Sequence, residues 1–332
     1  MANYNMNSGY GQALQNYVAT QVPTFGRLFV LMNSSNTDEE NYDRIQNVFP
    51  PDPAGQIRFY TSLASVEAAM ESNNNDVCLI DSNSSHAHAT GLALSESRKH
   101  FIGMDGGDRL VQQGAKIVST VAGATAYLLK NTGTRNTFRN IKFIQQDTNA
   151  AAIHVLEEGG EGSLYKNCSF TFGVVDNLDL TTASEIVCGA DSMTMVNCLV
   201  GTETLLTSAA RSVFAIDQVT SSQEFKSNII KDTNFLISSS SATAELVTVV
   251  AATDVLFTNL FDGCNFMASV DSAGGAAITN AVQSIGSLVK GTVNFKNCVS
   301  FNCTNFCDTL TANFMTYGPE TNAAAGEAGT PS

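Results

Sequence analysis

The side chains best able to do chemistry in this sequence are carboxylates gathered in one stretch. Glu157, Glu158 and Glu161 are followed by Asp176 and Asp179, then by Glu185 and Asp191. Two carboxylates held a fixed distance apart can hydrolyse a glycosidic bond, one as acid and the other as nucleophile or base. If the chain is an enzyme of that kind, Glu157, Glu161, Asp176 and Asp179 are its catalytic candidates. Gly159, Gly160 and Gly162 surround the first group, however, so these acids read as solvated loop charges and the expectation is no catalytic residue. His86 and His88 put two imidazoles on one face of a strand, where a metal could sit, but no third ligand follows them. His100 precedes an apolar strand and His154 lies within one, and both read as structural. Cys298, Cys303 and Cys307 match no zinc-finger spacing. The sequence contains no nucleophile elbow, P-loop or Gly-x-Gly-x-x-Gly motif. No metal and no cofactor are expected.

Whatever these groups do, a repeat positions them. Phe138-Arg139-Asn140-Ile141-Lys142-Phe143 returns as Tyr165-Lys166-Asn167-Cys168-Ser169-Phe170 and Met195-Val196-Asn197-Cys198-Leu199-Val200. It returns again as Ile230-Lys231-Asp232-Thr233-Asn234-Phe235, Phe261-Asp262-Gly263-Cys264-Asn265-Phe266 and Phe295-Lys296-Asn297-Cys298-Val299-Ser300. Copies roughly 30 residues apart indicate a solenoid, in which each unit buries its apolar side only against its neighbours. Positions 1, 4 and 6 are apolar or small, and 4 and 6 share one face of an extended strand. Position 3 is Asn, Asp or once Gly, the residues that best tolerate the backbone angles of a sharp bend. A further strand lies between copies, at Ala152-Ile153-His154-Val155, Glu185-Ile186-Val187-Cys188, Val213-Phe214-Ala215-Ile216, Leu246-Val247-Thr248-Val249 and Ala276-Ala277-Ile278-Thr279. Two or three short strands per turn, stacked at about 4.8 Å, make a parallel β-helix.

Composition narrows the function. The chain has 332 residues, 43% of them apolar, a mean hydropathy near zero and a net charge of −14 from 17 basic and 31 acidic side chains. Nucleic acid is not an expected partner, since binding it requires clustered cations to displace counterions. Nor is a membrane: no apolar run approaches the length of a span, and the first residues lack a basic segment followed by an apolar one, so a protein used without a secretion signal is expected. Of the eight cysteines, Cys168, Cys198, Cys264 and Cys298 share the inward position of the repeat, which reads as a packed column of reduced thiols in a reducing compartment. There is no Trp, and only Tyr127 and Tyr165 of the eight tyrosines fall in the solenoid before its tail, which argues against a saccharide cleft lined by flat rings.

The two ends differ from the middle. Residues 1–24 form a polar arm with a short helix over Gln12–Thr20. Residues 25–105 form an α/β capping region and the first coils, with strands at Arg27–Met32 and Ile57–Tyr60, a rigid Pro50–Pro53 turn, a helix from Ser62 to about Ser72 stopped by Asn73–Asn75, and a buried strand Asp76–Asp81. Residues 106–312 are the β-helix and 313–332 a flexible tail. The order of a small-residue helix, Asp76-Val77-Cys78-Leu79-Ile80, a His-containing loop and Phe101-Ile102-Gly103-Met104 resembles the start of a pectate-lyase-like right-handed parallel β-helix. The segment Tyr42 to Leu63 is similar to that of β-helix proteins among bacteriophage structural genes.

The resemblance implies an all-β fold, a single-stranded right-handed parallel β-helix whose N-terminal end is capped by the helix. It implies a virion protein assembled in the host cytoplasm, commonly a homotrimer, that decorates or cements the capsid or stands at a vertex through contacts with the major capsid protein or other virion proteins. Polysaccharide-cleaving members of the superfamily work either through paired carboxylates or by elimination with calcium and a basic residue. Arg135, Arg139, Lys142 and Lys166 lie in the repeat, but no acid cluster suggests a calcium site. The expectation is a non-enzymatic contact protein, with a tailspike-type enzyme or receptor-binding protein acting on host surface polysaccharide as the alternative.

Overall fold

The computed structural model describes residues 26–32, 58–82, 85–104, 114–120, 126–174, 178–220, 223–250, 255–270, 274–284, 290–308 and 314–317. Nearly every element is a short β-strand, and the strands pair in parallel into one sheet of 12 strands and two of 8. The chain visits the three sheets in the same order in each coil. Thr137–Arg139, Lys142–Gln145 and His154–Glu158 make one coil; Leu164–Lys166, Ser169–Phe172 and Ser184–Cys188 make the next. The expected parallel β-helix is thus the architecture found, with three strands per coil.

Sequence explains the corner between the first and second sheets. Asn140, Asn167, Asn197, Asp232, Gly263 and Asn297 all have φ between 49° and 67°, the left-handed region these residues enter at least cost. One such residue swings the chain from one sheet to the next. The amides also bond along the stack: Asn167 Nδ2 donates to Asn140 Oδ1 (3.1 Å) and Asn197 Nδ2 to Asn167 Oδ1 (2.9 Å). At position 263 a Cβ would lie 2.7 Å from Asp232 Oδ1, so a larger residue there would have to push that carboxylate aside.

The residue after each corner points inward. Cys168, Cys198, Cys264 and Cys298 are buried free thiols, as expected, and each also donates to a carbonyl. Cys168 Sγ reaches Phe138 O (3.4 Å), Cys198 Sγ reaches Val196 O (3.4 Å), Cys264 Sγ reaches Ile230 O (3.5 Å) and Cys298 Sγ reaches Lys296 O (3.4 Å). In the two copies without a cysteine, Ile141 and Thr233 take the place, and the Thr233 hydroxyl donates to Lys231 O at 3.0 Å. Beside this column, rings stack at the coil spacing: Phe138 on Tyr165 (5.0 Å), Phe143 on Phe170 (5.1 Å), Phe235 on Phe266 (5.0 Å) and Phe261 on Phe295 (4.8 Å between centroids).

The N-terminal end is closed by an α-helix, Leu63–Ala69, whose Leu63 and Val66 pack with Met70 against Phe29, Leu31, Cys78, Leu92 and Leu94. It is shorter than the sequence predicts. Met70 turns to extended backbone (φ −74°, ψ 131°) because Arg27 donates to Ala69 O (3.0 Å) and Asp76 accepts the amide of Glu71 (2.8 Å), so the chain is tied into the first sheet before Asn73. Leu28–Leu31 extends that sheet, pairing with both Asp76–Ile80 and Phe59–Tyr60. Lys99, fully buried, links helix to coil by donating to Glu67 O and Glu67 Oε1 (both 2.8 Å) and to Glu96.

Four strands differ from expectation. The strand predicted at Ala152–Val155 runs instead from His154 to Glu158, and the one at Ala276–Thr279 begins at Ile278. Lys116–Ser119 is a further strand of the second sheet, not anticipated because a connection separates it from Lys99–Gly103. Phe314–Tyr317, placed in the tail by sequence, pairs with Lys290–Lys296 and continues the first sheet. The predicted arm, the helix over Gln12–Thr20, the Pro50–Pro53 turn and the residues after 317 lie outside the described residues.

Candidate functional site

The fold puts the candidate carboxylates in different parts of the coil. Glu157 sits on the third sheet and is paired with Lys130 of the preceding coil (Oε2 to Nζ 2.7 Å). Glu161 is exposed at the turn from the third sheet to the first, where its backbone bridges Thr134 and Asp191. Asp179 lies in the connection between second and third sheets. It accepts from Ser208 N (2.6 Å), Ser208 Oγ (3.1 Å) and Thr207 Oγ1 (3.1 Å), and the Ser208 amide holds its carboxyl below the ordinary range. Asp176 lies outside the described residues. Glu157 and Asp179 therefore tie strands and loops together rather than converge as acid and nucleophile.

Two acids that the candidate set omits are the most strongly held. Glu158 is fully buried inside the solenoid. It accepts from Asn131 Nδ2 (2.8 Å), the Gly160 amide (2.7 Å) and the Tyr165 hydroxyl. Asn131 in turn donates to Ser163 Oγ and accepts from Asn136 Nδ2, both at 2.8 Å, and Asn136 Oδ1 receives the Lys99 amide (2.9 Å). Burial raises the Glu158 carboxyl to about 7, against the hydrogen bonds from Tyr165 and Asn131 that favour the anion. An acid poised near neutrality often marks catalysis, but this one is walled in by the core, and the network reads as a structural tie across coils. Glu185 forms a fully buried bidentate pair with Arg211, at 2.7 and 3.2 Å. Burial raises its carboxyl and Arg211 opposes that. Alternation could have flagged Glu158, which shares a strand face with apolar Leu156; nothing in the sequence joins Glu185 to Arg211.

Among the histidines, His86 is buried with Nε2 unpartnered, and burial keeps it and His88 below the ordinary imidazole range. No group of three metal-ligating side chains occurs among the described residues. His154 Nδ1 meets Ser184 O at 3.4 Å.

The basic residues behave differently, because the fold does bring several together. Arg139 pairs with Lys166 in the first sheet and Lys116 with Lys142 in the second, on the two sides of the asparagine corner. Arg135 sits at another corner, exposed, with its amide donating to Glu161 O at 2.7 Å.

No family model matches the chain, and no curated protein matches it either. Solved structures do. Pectin methylesterase PemA from Erwinia chrysanthemi is similar at 12% identity over 92% of each chain, with a TM-score of 0.53. A pectin methylesterase from Aspergillus niger is similar at 13% identity over 92% of this chain and 87% of that one, with a TM-score of 0.52. Pectate lyase Pel9A is similar at 9% identity over 94% of this chain and 83% of that one, with a TM-score of 0.54. At such identities the likeness is one of fold. The chain shares the right-handed parallel β-helix fold of these proteins, as the resemblance of its capping region implies.

Proposed function

We propose that this chain is a non-enzymatic contact protein of a phage particle, decorating or cementing the capsid or standing at a vertex as a homotrimer against the major capsid protein or another virion component. The observation that carries the contact reading is the placement of exposed apolar side chains. Among the described residues the large exposed ones are Ile229, Val250, Phe257, Val270 and Phe301, all in the last three coils. Phe257 is 64% exposed and holds φ at 52°, an unfavourable angle for a bulky residue. Apolar groups left in water on several faces of the same coils suit contact with a partner that wraps or abuts that part of the chain. The phage assignment rests on the sequence resemblance alone. Mass spectrometry of purified particles tests it: hundreds of copies per particle indicate decoration, a few to some tens a vertex, and absence from the particle rejects the assignment. Phe257→Ser with Phe301→Ser should abolish incorporation while leaving the free protein folded.

A second reading, a tailspike-type protein that binds or cleaves host surface polysaccharide, draws on the fold shared with pectin methylesterases and a pectate lyase. Incubation with host polysaccharide should leave chain length unchanged. Shortening that disappears in Glu157→Gln or Asp179→Asn would favour this reading over the first.

A further inference from the structure

One fully buried cation is held by more acid than it can neutralise. The Lys99 side chain has no exposed surface, and its Nζ donates to Glu67 Oε1 and to the Glu67 carbonyl, both at 2.8 Å, and to Glu96. The Glu67 and Glu96 carboxyls lie within hydrogen-bonding reach of each other as well. One ammonium cannot balance two ionised carboxylates in a poorly hydrated site, so one of the acids must hold a proton. Glu67 is that acid. Burial raises its carboxyl against the hydrogen bond from Lys99, and Glu96 adds to the rise, whereas the hydrogen bond from Lys99 lowers Glu96. Exposure agrees, at 20% for the Glu67 side chain and 45% for that of Glu96.

The backbone fixes all three groups. Glu96 and Lys99 flank a left-handed corner at Arg98 (φ 57°), and Asn136 holds both sides of it, donating from Nδ2 to Glu96 O (2.8 Å) and accepting the Lys99 amide (2.9 Å). Glu67 stands in the capping helix, Leu63–Ala69, where its carbonyl anchors the Lys99 nitrogen from the other side. Where the chain buries a cation for pairing alone, it uses Arg211 in a bidentate contact with Glu185. A guanidinium stays charged, whereas an amine that gives up its proton is a nucleophile. A neutral carboxyl, an amine and a carboxylate base in mutual contact are the groups that condensation to an amide requires. Holding them in place supplies the effective concentration that free groups in water lack.

We propose that Lys99 and Glu67 condense to an isopeptide bond, with Glu96 as the base, so that the capping helix is joined covalently to the first coils. The Lys99 ammonium passes one proton to the Glu96 carboxylate, and the freed amine attacks Glu67 Cδ. A C–N bond forms and one C–O bond of Glu67 breaks. Of the three ammonium hydrogens, one stays on the amide, one leaves with the Glu67 hydroxyl as water, and the third remains on Glu96, whose exposed side returns it to solvent. Nothing is oxidised or reduced, and the product no longer buries an ammonium.

Intact-mass measurement of the full-length protein tests this. Lys99→Arg keeps the cation but cannot condense, so it sets the reference mass whether or not it folds. After correction for the substitution, the parent should be lighter than that variant by one water. Trypsin cuts after Arg98 but not after an acylated lysine, so residues 59–98 should be released joined to residues 99–109, and fragmentation should place the link on Glu67. Glu96→Gln, shown to be folded by thermal unfolding, should keep the full mass. A parent of full mass, a link at Glu96, or a folded Glu96→Gln variant that still loses water would each overturn the proposal.

Discussion

The two halves of the rod share one backbone plan and fill it differently. Among the described residues, every buried charged side chain, from Asp76 and Lys99 to Glu185 and Arg211, precedes residue 212, and every large exposed apolar one follows residue 228. The first half is joined across coils by directional bonds: Lys99 to Glu67, Asn136 to Asn131, Asn131 and Tyr165 to Glu158. The second carries no buried charge among the described residues; beside the amide tie of Asn228 Nδ2 to Asn259 Oδ1 (3.1 Å) it is filled by rings, with Phe214, Phe235, Phe261, Phe266, Phe295 and Phe306 stacked, tilted or edge to face at 4.8–6.4 Å, continuing the stacks that Phe138, Tyr165, Phe143 and Phe170 begin in the first. Directional bonds fix one geometry and respond to pH, while ring packing resists loss of volume and is indifferent to pH.

That contrast sets the expected effects of substitution, all readable from denaturant unfolding. Phe266→Ala in the second half should cost about 3–5 kcal/mol, because Phe235 stacked on one side and Phe295 and Phe306 edge-on cannot close the cavity, and the cost should be equal at pH 5 and pH 8. A pH-dependent cost there would contradict the division. In the first half the effect should be titratable. The Glu158 carboxyl is raised from 4.5 to about 7 in the folded chain. Its contribution is therefore fully present below pH 4.5 and is lost as pH rises through 7, a fall of about 3 kcal/mol at most. Glu158→Gln should flatten that slope, and an unchanged slope would show that Glu158 is not its source.

Smaller effects come from the corner that both halves share. Asn197→Ala should cost about 2 kcal/mol, from the left-handed angle and the lost bond to Asn167, and Asn197→Gly distinctly less. Cys198→Ser should cost about 1 kcal/mol or less, since a hydroxyl already occupies the equivalent place at Thr233. A cost above 3 kcal/mol would mean the thiol column is held by packing alone. Phe257→Gly should raise stability of the free protein by about 1 kcal/mol, as expected of a residue strained where it stands; a loss would mean the ring supports the fold.

Most of the plan was legible because it repeats. The corner asparagines, the inward thiols and the stacked rings recur in one order, and a feature demanded by backbone geometry in every coil shows in every copy. What was hidden is what occurs once. Lys116 is hidden because residues 104–115 separate its strand from the one before, and the motif is contiguous only where the corner is a single residue. Glu158 read as a loop charge beside glycines, yet its strand runs on to that residue and turns it inward. The Glu185–Arg211 pair joins residues of neighbouring coils whose spacing follows from loop length alone. The cation cluster needed the register between coils, which sequence spacing near 30 residues does not supply.

The left-handed corner also has a consequence for size. Because each of the residues Asn140, Asn167, Asn197, Asp232, Gly263 and Asn297 returns the chain to the same register, the rod changes length only in whole steps of about 4.8 Å. Duplication or excision of one complete coil would move the exposed apolar end relative to the cationic corner by one step and leave both chemically intact. The molecule is in that sense a ruler, and the distance it sets between two surfaces is inherited as a number of repeats.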